Sequence, residues 1–305
     1  MSVDTTAVSH DPIGESVPQR PLVGASGSGW RERGFKYLLW FSLAVGIVTL
    51  ATLLVYVLVK GWPRLDPRVL TNMPSAILPD RAGAQSAIMG TLWLMVFTAL
   101  FALPPGILTA VYLEEYADPS RWWNRMIEVN LMNLAAVPSV VFGILGLAFI
   151  SRGLGLGPTI LTGSLTLALL VLPVVVIASR EAIRAVPSSI RQGSLALGAT
   201  QWQTIWRQVL PAATPGMATG SILALSRAIG EAAPLIILGV SFVTFNPNGL
   251  TSRFTALPVQ IYDWTTQSRT EYLVLAAATS VVLLVILLAM NSVAIYIRNR
   301  TQKRR

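Results

Sequence analysis

The 305-residue sequence contains no cysteine and a single histidine, His10. The first absence excludes a disulfide framework, a thiol nucleophile and the usual thiolate zinc sites. The second removes Ser-His-Asp catalysis and any histidine-rich metal site. No catalytic residue and no metal ligand set is therefore expected. Charge is scarce as well: Asp, Glu, Lys and Arg make up 12% of the chain, against about 25% in an ordinary soluble domain. A protein of this size cannot cover a water-facing surface with so few charges, which excludes a plain cytosolic enzyme. No Gly-x-x-x-x-Gly-Lys phosphate loop occurs either, so the chain is not expected to bind ATP or any other cofactor itself.

What is present is apolar. Hydrophobic residues make up 53% of the sequence, with a mean hydropathy of +0.61. Six long apolar runs stand out, at about Tyr37–Val59, Ala87–Leu113, Met126–Ile150, Ile160–Ala178, Ala213–Val240 and Tyr272–Ile297. Each is long enough to cross about 30 Å of hydrocarbon as a helix. Backbone groups in lipid must pair within their own segment, and the runs are far too long for barrel strands. The expectation is an all-α integral membrane protein of six transmembrane helices. Residues 1–36, rich in Ser, Gly and Pro, are expected to be a disordered tail; 37–297 form the membrane domain, and 298–305 a basic C-terminal tail.

The net charge of +9 does not point to nucleic acid, because the basic residues lie at the ends of the apolar runs rather than on one stripe. Counting Lys and Arg between the runs gives 15 on the side of both termini and of the 179–212 loop, and 7 on the other. The positive-inside bias then places both termini and that loop of a multi-pass protein in the cytoplasm. The outer loops, 60–86 and 241–271, are long enough for short surface helices or an external partner. Glu114-Glu115, at the end of the second run, are expected on a solvated cytoplasmic face, and Asn130 and Asn133 to hydrogen-bond between helices.

The 190–211 loop is the most informative stretch. It contains Gln192-Gly193-Ser194, then Gly198-Ala199, Trp202 and Trp206 one helical turn apart, and Leu210-Pro211. A segment of this kind beside a membrane can simply lie in the interface. Its spacing, however, resembles the cytoplasmic coupling loop of ABC-importer permeases: Glu-Ala-Ala, three residues, Gly, and about ten more before Leu-Pro. Gly198 falls on the glycine and Leu210-Pro211 close the motif, while Gln192-Gly193-Ser194 depart from Glu-Ala-Ala. A short helix, a glycine that lets the chain turn, and a second helix make a rigid knob for a partner's groove. Pro211 is expected to end the knob and start the next span.

Further stretches, Val137–Gly143, Leu165–Pro173, Glu181–Pro187 and Arg227–Leu235, resemble the A-type permease subunits of phosphate-specific ABC transporters, over about residues 86–296. The resemblance implies the type I importer permease (MetI-like) fold and transport of inorganic phosphate. It implies a homologous second permease as heterodimer partner, two ATP-binding cassette subunits that use ATP and Mg, and an extracytoplasmic phosphate-binding protein. A permease for sulfate, molybdate or another solute is the alternative, and an ion-coupled secondary transporter a more distant one.

Arg227 and Glu231 form the only oppositely charged pair inside the runs, one helical turn apart. A central Arg costs about 2.5–3.5 kcal/mol on insertion scales, whereas an i, i+4 pair on an exposed helix recovers only about 0.2–0.5 kcal/mol. A planar fork of donors suits a tetrahedral oxyanion, and the resemblance associates this Arg and Glu with the phosphate pathway. A self-neutralising structural pair is the competing reading. Gly216 and Gly220 in the same run fit close helix packing. Pro104-Pro105, Pro138 and Pro173 are expected to kink their helices.

Overall fold

The structure is a computed structural model that describes residues 29–302 apart from Pro119. Most of the expected tail 1–36 lies outside them, although Gly29–Lys36 are helical; residues 303–305 also lie outside. The helices are α1 (Gly29–Gly61), α2 (Pro67–Thr71), α3 (Gln85–Val111), α4 (Trp122–Ala136), α5 (Ser139–Leu145), α6 (Ile160–Arg184), α7 (Ser188–Ala196), α8 (Gln201–Thr204), α9 (Leu210–Ile229), α10 (Ala233–Ile237), α11 (Leu257–Thr265) and α12 (Thr270–Gln302). Among the described residues the only β contact is an isolated bridge, Thr159 with Arg253.

The chain divides into two compact units, Met1–Leu53 and Leu54–Arg305. In the first, the described residues are a single helix whose apolar side chains, from Phe35 to Leu53, are exposed. Its composition suits lipid or another protein rather than water.

In the second unit, α3, α6, α9 and α12 pack side by side, and buried apolar residues fall in tiers along the bundle. At the end bearing the 190–211 loop, Val111, Leu113, Ile183, Val186, Ile205 and Val209 meet. Midway, Met95 and Ala102 of α3, Val171 of α6 and Ala224, Ala228 and Ile229 of α9 pack with Leu283 and Ile286 of α12. At the opposite end, Leu94, Ile160, Leu167, Leu235, Phe254 and Val259 close the bundle. Gly216 and Gly220 let α9 lie directly on α6: a Cβ at Gly216 would come within 2.7 Å of Ala182 Cβ, and one at Gly220 would run into Ala178.

Two of the six runs are broken. Among the described residues, five helices are long and apolar enough to span a membrane, or six if one bent pair counts as a span. That pair, Trp122–Ala136 and Ser139–Gly153, turns by 107° at Pro138, so this proline breaks the third run instead of kinking it. Pro104-Pro105 and Pro173, in contrast, lie inside the continuous helices α3 and α6. The fifth run does not reach Val240 as one helix: α9 stops at Ile229, Gly230 caps it, and the chain restarts as α10. Asn130 bonds back to Met126 O (2.8 Å) within α4 rather than across helices. The outer-loop helix α11 is no surface helix, since Leu257, Val259, Gln260 and Trp264 are buried.

Candidate functional site

Each end of the 190–211 knob is built from local capping chemistry. α7 closes with Gly198 at φ +81°, where Gly198 N donates to Leu195 O (2.9 Å) and Ala199 N to Ser194 O (3.2 Å). This is the Schellman pattern, and its left-handed residue strongly favours glycine. Two residues on, Thr200 opens α8 with a capping box: its hydroxyl accepts from Gln203 N, while Gln203 Oε1 accepts from Thr200 N. A hydroxyl–hydroxyl bond between Ser194 and Thr204 (2.9 Å) ties the two helices together. Gln192 and Gly193 are exposed, Ala199 is half-buried, and Trp202 stacks on Trp206 with ring centroids 5.0 Å apart, both exposed. Leu197 is 91% exposed at the tip. Gly193, Ser194, Ala199, Gln203 and Arg207 line a shallow groove of about 420 Å³. The surface mixes small and apolar residues with polar ones.

Leu210 and Pro211 open α9, the expected start of the next span, but no break separates it from the second helix of the knob. They lie in a single helical run, Gln201–Ile229, whose second turn, Ile205–Val209, is π-helical. Pro211 is tolerated because it falls in the first turn of α9, next to the looser π-turn. The run therefore forms one rod from the knob to Arg227, about 40 Å at 1.5 Å per residue.

Arg227 lies in the last turn of that rod, level with the middle tier through its neighbours Ala228 and Ile229. Glu231 sits just beyond the break, its amide bonded to Ala228 O (3.2 Å). The pair thus straddles a helix end. Arg227 Nε lies 3.5 Å from Glu231 Oε1, with side chains 56% and 19% exposed. A cation in a final helical turn also gains from the carbonyl dipoles there, which offsets part of its burial cost. That contact is made through Nε, and a guanidinium carries five N–H donors in a planar fork of the kind that suits a tetrahedral anion.

Glu114 and Glu115, expected on a solvated cytoplasmic face, are instead partly or largely buried in a network with the arginines near the 190–211 end. α3 ends in a π-turn, Tyr112–Tyr116, that aims two glutamates at different partners. Glu114 takes both Nε (3.0 Å) and Nη2 (3.1 Å) of Arg184 and lies 3.5 Å from Arg180 Nε. Arg180 in turn reaches Glu128 of α4 at 2.9 Å. Glu115, 9% exposed, pairs with Arg191 of α7 at 2.7 Å. The only sequence signal was a Glu-Glu doublet facing the four arginines of the 179–212 loop. Nearby, the hydroxyl and amide of Ser120 hold the Asp118 carboxyl below the usual carboxylate range. At the opposite end, a cleft of about 360 Å³ is lined by Ala76, Ser241, Phe242 and Asp263, among others, and desolvation pushes the Asp263 carboxyl up. Among the described residues no cluster of His, Cys, Asp and Glu is arranged to hold a metal.

Residues 102–303, which hold both the knob and the charged pair, match the family of binding-protein-dependent transport system inner membrane components. The chain belongs to this family. It is PstA-like within it: the phosphate transport system permease protein PstA 1 of Mycobacterium tuberculosis is 32% identical over 87% of either chain. PstA of Haemophilus influenzae is 30% identical over 86% of this chain and 93% of its own. The fold matches solved ABC transporters at low identity. A bacterial alginate ABC transporter, solved with its periplasmic protein, superposes with a TM-score of 0.62 at 18% identity, covering 89% of this chain and 97% of that one. The inward-facing MetNI methionine transporter gives 0.57 at 16%, covering 71% and 96%. As a MetI-like permease, the chain is a multi-pass inner-membrane transport component.

Proposed function

We propose that the chain is the membrane-spanning permease subunit of an ATP-driven importer of inorganic phosphate. The observation that carries the substrate is the likeness to PstA proteins at 30–35% identity over most of the chain. The Arg227–Glu231 geometry supplies the chemistry. A guanidinium at mid-bundle gives a passing oxyanion charge and directed N–H donors, and Glu231 holds it in place while keeping the empty site close to neutral.

In this reading the chain forms half of the pathway, and a homologous permease forms the other half. Two ATP-binding cassette subunits, using ATP and Mg, dock on Gln192, Gly193, Ser194, Gly198, Ala199 and Trp202 in the cytoplasm, where both termini also lie. An extracytoplasmic phosphate-binding protein delivers substrate at the opposite end. ATP hydrolysis belongs to the cassette subunits, and this chain performs no catalysis. Closure of the cassettes displaces the knob, and the Gln201–Ile229 rod carries that displacement to Arg227.

The test is labelled-phosphate uptake in cells that depend on this chain, competed with excess sulfate or molybdate, with the complex then purified through the chain. Energy-dependent uptake that only unlabelled phosphate suppresses, with a cassette ATPase, a second permease and a binding protein co-purifying, is the expected result. Equal suppression by sulfate would overturn the substrate assignment, and energised uptake without any ATPase would overturn the importer assignment.

A further inference from the structure

Glu115, in the π-turn Tyr112–Tyr116 that follows α3, is held by both helices of the knob. Its carboxylate accepts from Arg191 of α7, at 2.7 Å from Nη2 and 3.1 Å from Nε. Its main-chain carbonyl accepts from Nε2 of Gln201, the first residue of the rod (2.8 Å). Arg191 also donates to Val186 O (2.7 Å) and Ile183 O (2.9 Å) at the end of α6, so it is anchored on three sides. The Glu115 side chain is 9% exposed and that of Arg191 24%. Separating a buried carboxylate from its only cation leaves an uncompensated charge, which is far more costly than moving the pair together.

We infer that Glu115 is the positioning residue that makes α3 move with the knob, so that α3 and the Gln201–Ile229 rod shift as one body. Both ends of the arrangement fit. At the knob, Glu115 joins α7 and α8. At mid-bundle, Met95 and Ala102 of α3 pack in the same tier as Ala224 and Ala228 of the rod, beside Arg227. The π-turn that carries Glu115 supplies the local geometry: an extra residue in the last turn, closed by Ala117 N to Tyr112 O (2.8 Å), lets Glu114 turn to α6 while Glu115 turns to α7. π-turns inside helices recur at functional positions.

The inference rests on the phosphate-importer reading, and its test keeps the two apart. The complete importer is reconstituted in vesicles, and labelled-phosphate entry and ATP hydrolysis are measured in the same sample. If wild type hydrolyses ATP with loaded binding protein but moves no phosphate, the functional reading fails whatever Glu115 does. If wild type transports, Glu115→Gln, which keeps shape and loses charge, is expected to retain ATP hydrolysis within about twofold while phosphate moved per ATP falls tenfold or more. Glu115→Asp, which keeps the charge, is expected to recover most of that ratio. An unchanged ratio in Glu115→Gln, or a parallel loss of uptake and hydrolysis, would overturn the transmission role. Should Glu115→Gln not assemble, Arg191→Lys decides in the same assay: a lowered ratio supports the inference and a wild-type ratio overturns it.

Discussion

Gly198→Ala tests the knob's turn with almost nothing else changed. A Cβ at Gly198 meets no atom within 4 Å, so the effect comes from the backbone at φ +81°. An L-residue there costs about 1–2 kcal/mol. The turn can instead open, but it then gives up the bonds from Gly198 N and Ala199 N, together worth about 1–3 kcal/mol net. Either route costs about 1–3 kcal/mol, small beside the 5–15 kcal/mol typical of a folded domain. Membrane abundance should therefore hold. A change of 1.4 kcal/mol is a factor of ten in a conformational ratio, enough to depopulate the docking shape of the knob. Uptake should fall several-fold to tenfold in Gly198→Ala. In Gly198→Asn, which tolerates the left-handed region, it should be largely kept. In Gly198→Glu, which adds a charge to the docking face, uptake and the ATPase stimulation by loaded binding protein should both be lost. The assay is labelled-phosphate uptake normalised to membrane abundance. Wild-type uptake in both Gly198→Ala and Gly198→Glu, or an Asn variant no better than Ala, would refute the reasoning.

Two further outcomes follow from other parts of the bundle. Gly220→Leu forces a side chain into Ala178 of α6 and should destabilise the assembled protein by about 1–3 kcal/mol or more, read as a lower melting temperature in detergent; an unchanged melting temperature contradicts the packing. Asp263 has its carboxyl raised by desolvation, so the fold favours its protonated form. The associated stability is fully present below the ordinary carboxylate value and is lost as pH rises through the folded value. Asp263→Asn should therefore raise thermal stability at pH 7 and make little difference near pH 3, and a loss of stability at pH 7 would reverse that sign.

The long apolar runs were legible because a membrane segment is read from length and hydropathy, and α3, α6 and α12 meet both criteria. The turn of the knob was legible because Gly198 carries a fixed backbone consequence. Hydropathy does not record where a helix stops, so the apolar residues of 229–240 masked the break after Ile229; the only local sign was Gly230 followed by Pro234. Proline was equally ambiguous. Pro138 breaks its run at 107°, while Pro173 is buried within an unbroken helix, and tertiary packing makes the difference. Glu114 and Glu115 looked solvated because their partners Arg180, Arg184 and Arg191 are 66 or more positions away in sequence. Long-range ion pairs leave no periodic trace.

The charged pair at the end of the rod carries the account. Arg227 is 56% exposed, with its Nε 3.5 Å from Glu231 Oε1, an exposure that suits a guanidinium kept available more than one spent on a structural pair. A structural pair would require Arg227 only to neutralise Glu231, so removing both charges would restore transport. The decisive measurement is labelled-phosphate uptake at matched expression and assembly in Arg227→Ala, Arg227→Lys and the double variant Arg227→Ala with Glu231→Ala. An oxyanion-facing Arg227 predicts no uptake in Arg227→Ala, partial uptake at most in Arg227→Lys, where the fork is lost, and no recovery in the double variant. Recovery of uptake in the double variant would contradict it.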